Sequence, residues 1–102
     1  YIPLFKVQPI YPRRAQERGT EGYAIVSFTI TESGSVEDAK PLEGYCGDPE
    51  GPQEEMRPCT LFNSASTRAA LKLKYKPKIV DGKATPVEGV FHRFTFIMAD
   101  DE

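Results

Sequence analysis

Val90-Phe91-His92-Arg93-Phe94-Thr95-Phe96-Ile97-Met98 is the last strongly apolar stretch of the chain, and the rest is best read as a frame around it. Val90, Phe94, Phe96 and Met98 share one parity, so one face is buried while Arg93 and Thr95 look the other way. That is a strand with one wet face. Only Ala99-Asp100-Asp101-Glu102 follow it, which leaves its outer edge open. An open edge offers unpaired N–H and C=O groups to a visiting strand.

Working back from this strand, Pro86 precedes it and Asp81-Gly82 reads as a turn between Lys78-Ile79-Val80 and Lys83-Ala84-Thr85. Further upstream, Leu61-Phe62-Asn63 reads as a helix start, with Asn63 capping the first free amides and Phe62 packing back on the helix. Ala65, Ala69, Ala70 and Leu73 give that helix a narrow face of small residues suited to a sheet, and it should stop before Pro77. The clearest strand lies earlier: Ala24, Val26, Phe28 and Ile30 alternate with Tyr23, Ile25, Ser27, Thr29 and Thr31. Glu32-Ser33-Gly34 supplies a turn, and residues 35–40 return antiparallel. Val36 and Ala39 fall on opposite parities, so either a bulge or an outer position in the sheet is expected there.

The N-terminal segment is stiff. Pro3 prevents an early helix, Leu4, Phe5 and Val7 are available for packing, and Gln8-Pro9-Ile10-Tyr11-Pro12 has two prolines that fix their own φ and hold Gln8 and Tyr11 extended. Pro12 then opens a short polar helix through Arg18 that Gly19 terminates. The order is helix, strand, strand, helix, strand. It predicts one α+β domain over residues 1–102, two layers deep, with a small antiparallel three-stranded sheet packed on two helices.

With 102 residues, of which 39% are hydrophobic, the chain supports one modest core. Thirteen basic residues against fifteen acidic ones give a net charge of −2, which argues against a nucleic-acid partner. Lys72, Lys74, Lys76, Lys78 and Lys83 make one region basic, and a solvated face is favoured there over phosphate binding. No run reaches the roughly 20 apolar residues that span a bilayer, and no signal-peptide pattern opens the chain. It begins on Tyr1 without a methionine, so we read it as a mature or excised piece whose anchor lies upstream.

Cys46 and Cys59 bracket a loop rich in Pro, Gly and charge, with little apolar surface to order it. A disulfide is the favoured reading, contributing about 3 kcal/mol in the chain-entropy estimate and implying an oxidising compartment. Free thiols stay open as an alternative. A metal site would need two further ligands, and a redox pair usually has closer spacing.

Catalytic groups are scarce. His92 is the one histidine and shares the parity of Phe94 and Phe96, so a partly buried or edge histidine is favoured over a catalytic base. There is no Gly-x-Ser-x-Gly elbow and no glycine-rich phosphate loop. Glu54-Glu55 lies in the polar loop and reads as a solubilising pair. The reading is a protein that is not an enzyme and needs no cofactor.

Gln8-Pro9-Ile10-Tyr11-Pro12, then Ala15, Gly19-x-Glu21-Gly22, the strand from Ala24 to Ile30 and Gly34-x-Val36 resemble the C-terminal domain of the TonB energy transducers. Phe62-Asn63-x-Ala65, Ala69-Ala70, Lys74-Tyr75-Lys76-Pro77, Asp81-Gly82-Lys83 and Phe94-x-Phe96 continue the resemblance. It implies a periplasmic module of a protein anchored in the inner membrane and worked by a motor complex resembling ExbB and ExbD. Its partner would be the TonB box, a short extended segment of outer-membrane receptors that import siderophore-bound iron, cobalamin and similar nutrients. In the family the box adds as a strand beside the final strand, near the Gln-Pro-x-Tyr-Pro segment. Here that implies a peptide site made of Gln8, Pro9, Ile10, Tyr11 and Pro12 with Val90, Phe91, His92, Arg93, Phe94, Thr95, Phe96 and Ile97. The Cys46 to Cys59 loop is longer than the family pattern leads one to expect, and Leu73 stands where many members have tryptophan. Competing readings are a TolA-like envelope-integrity domain and a peptide-binding domain of a membrane sensor. Self-pairing of edges into a homodimer is a further expectation of an open strand.

Overall fold

Ala24, Val26, Phe28 and Ile30 become the buried face of the central strand β1 (Gly22–Ile30). This is seen in a computed structural model of the chain, which describes residues 1–98. The acidic tail, expected to leave the last edge uncovered, lies outside the described residues. Ahead of β1, helix α1 (Arg13–Arg18) ends at Gly19, whose left-handed φ of 67° is free of Cβ strain. Pro12 stands just outside the helix with extended ψ, one residue earlier than expected, and its carbonyl accepts the Gln16 N–H at 2.9 Å.

Strand β2 (Val36–Cys46) pairs antiparallel with β1 and runs six residues beyond the expected return. Its register shifts twice, between Ile25 and Val26 and between Ser27 and Thr29, and Asp38 takes a φ of 55°. Of the two outcomes that the parity conflict allowed, a bulge or an outer position, the bulge is present. The far half of β2 was hidden because Pro41 and exposed Leu42 and Glu43 break any alternation.

The sheet has four strands, in the order β3-β2-β1-β6, where three were expected. The extra strand β3 (Arg57–Pro58) is the return leg of the cysteine loop, and it pairs with Tyr45 and Cys46. The loop is closed by the Cys46–Cys59 disulfide, with Cα atoms 5.7 Å apart. A two-residue strand containing proline has no periodicity to read; the cross-link and the edge position create it. A separate two-stranded hairpin, β4 (Lys78–Val80) with β5 (Lys83–Thr85), closes through Asp81-Gly82.

Helix α2 (Asn63–Ala70) lies across β1 and β2 with Ala69 and Ala70 buried, and Leu73 just beyond it is 2% exposed. Phe62, not Asn63, occupies the cap position, and no side chain caps the helix. The Asn63 side-chain oxygen is buried without a partner, turned towards the backbone at Gly44. The two helices do not back the sheet equally, since α1 gives the core only Ala15.

The final strand β6 (Val87–Phe96) pairs antiparallel along the other side of β1, from Ile30 opposite Val87 to Gly22 opposite Phe96. Val90, Phe94 and Phe96 are buried as their parity requires, and Met98 is half-buried. Phe96 stacks on Phe62 with centroids 4.5 Å apart. Burying one such ring stabilises by about 1.5–3 kcal/mol, so β6 is fixed by its inner face while its outer edge stays available. At Gly22 strand β1 lies close against β2 and Phe62, and a Cβ there would run into Tyr45's carbonyl oxygen and the Phe62 ring.

Candidate functional site

The two outer edges of the sheet differ in chemistry. The β2 edge carries the left-handed Asp38, exposed Lys40 and Glu43, and Pro41, which has no N–H to give; β3 covers its end. Such devices keep an edge from pairing. From Val90 onward the β6 edge has one exposed charge, Arg93, but no proline, no left-handed residue and no register shift. Its one irregularity is at the start, where Gly89 has a φ of 67° and the register shifts opposite Phe28 to Ile30.

A groove of about 650 Å³ runs along this edge, within the range that holds ligands. One wall is His92, Arg93, Phe94 and Thr95 with Leu73, and the other is the N-terminal segment from Ile2 to Pro9. The far wall is tied back by the Leu4 N–H, which donates to the Lys74 carbonyl at 2.8 Å. Among the described residues no backbone hydrogen bond joins residues 1–9 to β6, so the wall flanks the edge without pairing with it.

The Gln-Pro-Ile-Tyr-Pro segment is divided by the fold. Gln8 and Pro9 line the groove, and they also wall a second hollow of about 310 Å³ against α2, where Ile10 is 77% exposed. Tyr11 turns inward. Its ring meets Phe62 and Phe96 edge-on at 5.9 and 5.6 Å, and its hydroxyl donates to the Thr20 carbonyl at 2.6 Å. Burial, with a smaller contribution from Glu21, holds this phenol above its ordinary pKa, so it remains a donor. Tyr11 thus pins the segment that carries Gln8 and Pro9, while Pro12 leads into α1.

On β6, His92 is half-buried with its ring 4.7 Å from Phe94, and burial lowers its pKa. Arg93 lies on the outward face with its guanidinium 3.9 Å over the Tyr23 ring. Tyr23 packs on Tyr45 and exchanges hydrogen bonds with Gln53 in the stapled loop. Phe91 and Ile97 are exposed beyond either end of the groove. Among the described residues, no three of His, Cys, Asp and Glu converge as a metal site requires.

Reasoning from sequence missed the groove wall from Ile2 to Val7. It treated Leu4, Phe5 and Val7 alike, whereas Val7 packs on the core and Leu4 and Phe5 are 63% and 52% exposed. The available signal was a run of apolar residues beside Pro3 with no strand partner. The Arg93–Tyr23–Gln53 connection had no sequence signal.

The family described as Gram-negative bacterial TonB protein C-terminal matches residues 7–44. Protein TonB of Pseudomonas aeruginosa is 35% identical over 81 residues, which is 79% of this chain but 20% of that protein's length. The solution structure of the Pseudomonas aeruginosa TonB C-terminal domain superposes with a TM-score of 0.67 at 30% identity, covering 99% of this chain and 89% of that one. The TonB2 protein from Vibrio anguillarum gives 0.61 at 34% identity, covering 98% and 83%.

Proposed function

The chain belongs to the TonB C-terminal family, and from that premise we propose that it is the receptor-engaging end of an energy transducer. It takes up the TonB box of an outer-membrane receptor and pairs it, strand to strand, with the outer edge of β6. The observation that carries this reading is the unpaired edge at His92 to Thr95 facing a groove with its far wall tied back by Leu4. An extended peptide seated there gains a row of main-chain hydrogen bonds, each contributing about 1 kcal/mol. Pulled along the strand direction, such a row loads all its bonds together, so force passes to the receptor through few side-chain contacts.

Within this role the main chain from Val90 to Ile97 forms the pairing edge, Gln8 and Pro9 contact the visiting peptide from the opposite wall, and Tyr11 positions them. No bond is made or broken, so neither a catalytic group nor a cofactor is needed. The disulfide suits an oxidising periplasm. Upstream segments outside this sequence would anchor the protein in the inner membrane and meet an ExbB- and ExbD-like motor. Receptors for iron-siderophores and cobalamin-like nutrients are the partners in this reading.

The test is a titration of the labelled domain with a synthetic TonB-box peptide, followed by amide resonances. Shifts concentrated in residues 90–97 and at Gln8 are expected. Shifts elsewhere only, or none, would rule the reading out.

A further inference from the structure

Residues 72–83 hold five lysines against the single carboxylate of Asp81, in a chain whose net charge is −2. Alternating burial sorts them. Leu73 and Tyr75 are each 2% exposed, while Lys72, Lys74, Lys76 and Lys78 are all exposed and form a cationic row that leads into the β4–β5 hairpin. Among the described residues none of these lysines has a carboxylate within ion-pair distance, and the ion pair found there is Arg13 with Glu17. Lys74 donates to the neutral Ser35 hydroxyl, at 2.9 Å.

Among the described residues the hairpin at the end of the row pairs with no other strand. Its turn residues Asp81 and Gly82 have φ of 50° and 78°, the double positive φ that tight two-residue hairpins favour. Opposite Val80 stands Lys83, and opposite Ile79 stands Ala84. Ile79 and Val80 therefore project from opposite faces, and they are 62% and 43% exposed.

We propose that this lysine row and hairpin form a peripheral contact site for an anionic phospholipid bilayer. The lysines meet lipid phosphates while Ile79 and Val80 enter the headgroup layer. Two apolar side chains on opposite faces of a projecting ribbon are not both covered by one flat protein partner. A fluid bilayer entered edge-on covers both, and it needs no complementary pocket. Asp81 at the tip confines the insertion to the headgroup layer, since a charged group is expensive in hydrocarbon. The contact is modest and salt-sensitive, because each lysine near an anionic surface strengthens partitioning about fivefold. It is independent of strand pairing at β6.

The experiment is co-sedimentation of the 102-residue chain with vesicles of phosphatidylcholine mixed with phosphatidylglycerol, against vesicles of phosphatidylcholine alone. Binding at low salt to the anionic vesicles is expected, at least about tenfold stronger than to neutral ones and lost at high salt. Lys78→Gln with Lys83→Gln should weaken it about 25-fold, and Ile79→Ser with Val80→Ser several-fold without removing the salt dependence. All four side chains are exposed, and circular dichroism checks that the variants fold. Equal partitioning to both vesicles, or unchanged binding by the lysine variant, would overturn the proposal. So would absence of vesicle binding together with retention on immobilised polyglutamate, which would assign the row to an acidic polypeptide.

Discussion

Arg93 on the edge strand holds its guanidinium 3.9 Å above the ring of Tyr23 on the central strand. Tyr23 is 4% exposed and joined by hydrogen bonds to Gln53 in the disulfide-closed loop. The strand that presents the open edge is thereby held on its outward face by the cross-linked loop and on its inward face by Phe62 under Phe96. A held edge has little conformational freedom to lose when a peptide pairs with it.

Arg93→Ala removes this cation–π contact and should destabilise the domain by about 0.5–1 kcal/mol. Arg93→Lys keeps the charge but loses the planar stack, so its loss should be intermediate. Urea unfolding midpoints compare the three proteins; identical midpoints would mean the contact contributes nothing.

Tyr11→Phe deletes the hydrogen bond to the Thr20 carbonyl while keeping the ring between Phe62 and Phe96. A loss of about 1 kcal/mol is expected. Tyr11→Ala also empties the ring's place and should lose about 3 kcal/mol. It should weaken peptide binding as well, because Gln8 and Pro9 are then no longer fixed opposite β6. Denaturation and peptide titration of both variants read the two effects separately.

The cysteine pair closes a loop of 13-residue separation, so replacing both Cys46 and Cys59 by Ala should remove about 3 kcal/mol. In the native protein an alkylating reagent should add no mass until a reductant is supplied, as mass spectrometry will show. Prompt double alkylation without reductant would contradict the cross-link.

Much of this arrangement is readable from side-chain patterns, and what is not readable has a physical cause. The strands β1 and β6 are nine and ten residues long and alternate from Ala24 and from Val90 onward, which is why their inward faces and the exposed Arg93 and Thr95 follow from parity. Strand β2 carries one register shift between Glu37 and Lys40 and another at Pro41, where its far half begins, and β3 exists only because a covalent link brings Arg57 beside Cys46. Asn63 has the right chemistry for a cap, yet Phe62 takes the cap position because its ring is fully buried against Phe96 and Tyr11. The groove's outer wall is held by the main-chain bond from Leu4 to Lys74, and main-chain bonds leave no mark on a sequence of side chains.

Burial lowers the His92 pKa below the ordinary 6.5. The unfolded chain then takes up this proton before the folded one does. Its contribution to stability is complete above the unfolded value and declines as pH falls from about 6.5 through the lower folded value. Unfolding midpoints of the natural protein should fall more steeply over that window than those of His92→Gln, whose carboxylates titrate alike. Parallel pH profiles would contradict the burial effect.

Main-chain pairing at β6 is tested most directly by a TonB-box peptide with its own backbone donors blocked. Two peptides of unchanged side chains are methylated on alternate backbone nitrogens, one in each register, and their dissociation constants are compared with the parent's. A strand added beside β6 turns every second N–H towards the edge, so one register should lose at least about tenfold in affinity while the other binds nearly as the parent does. Near-parental binding by both methylated peptides would contradict strand addition at this edge.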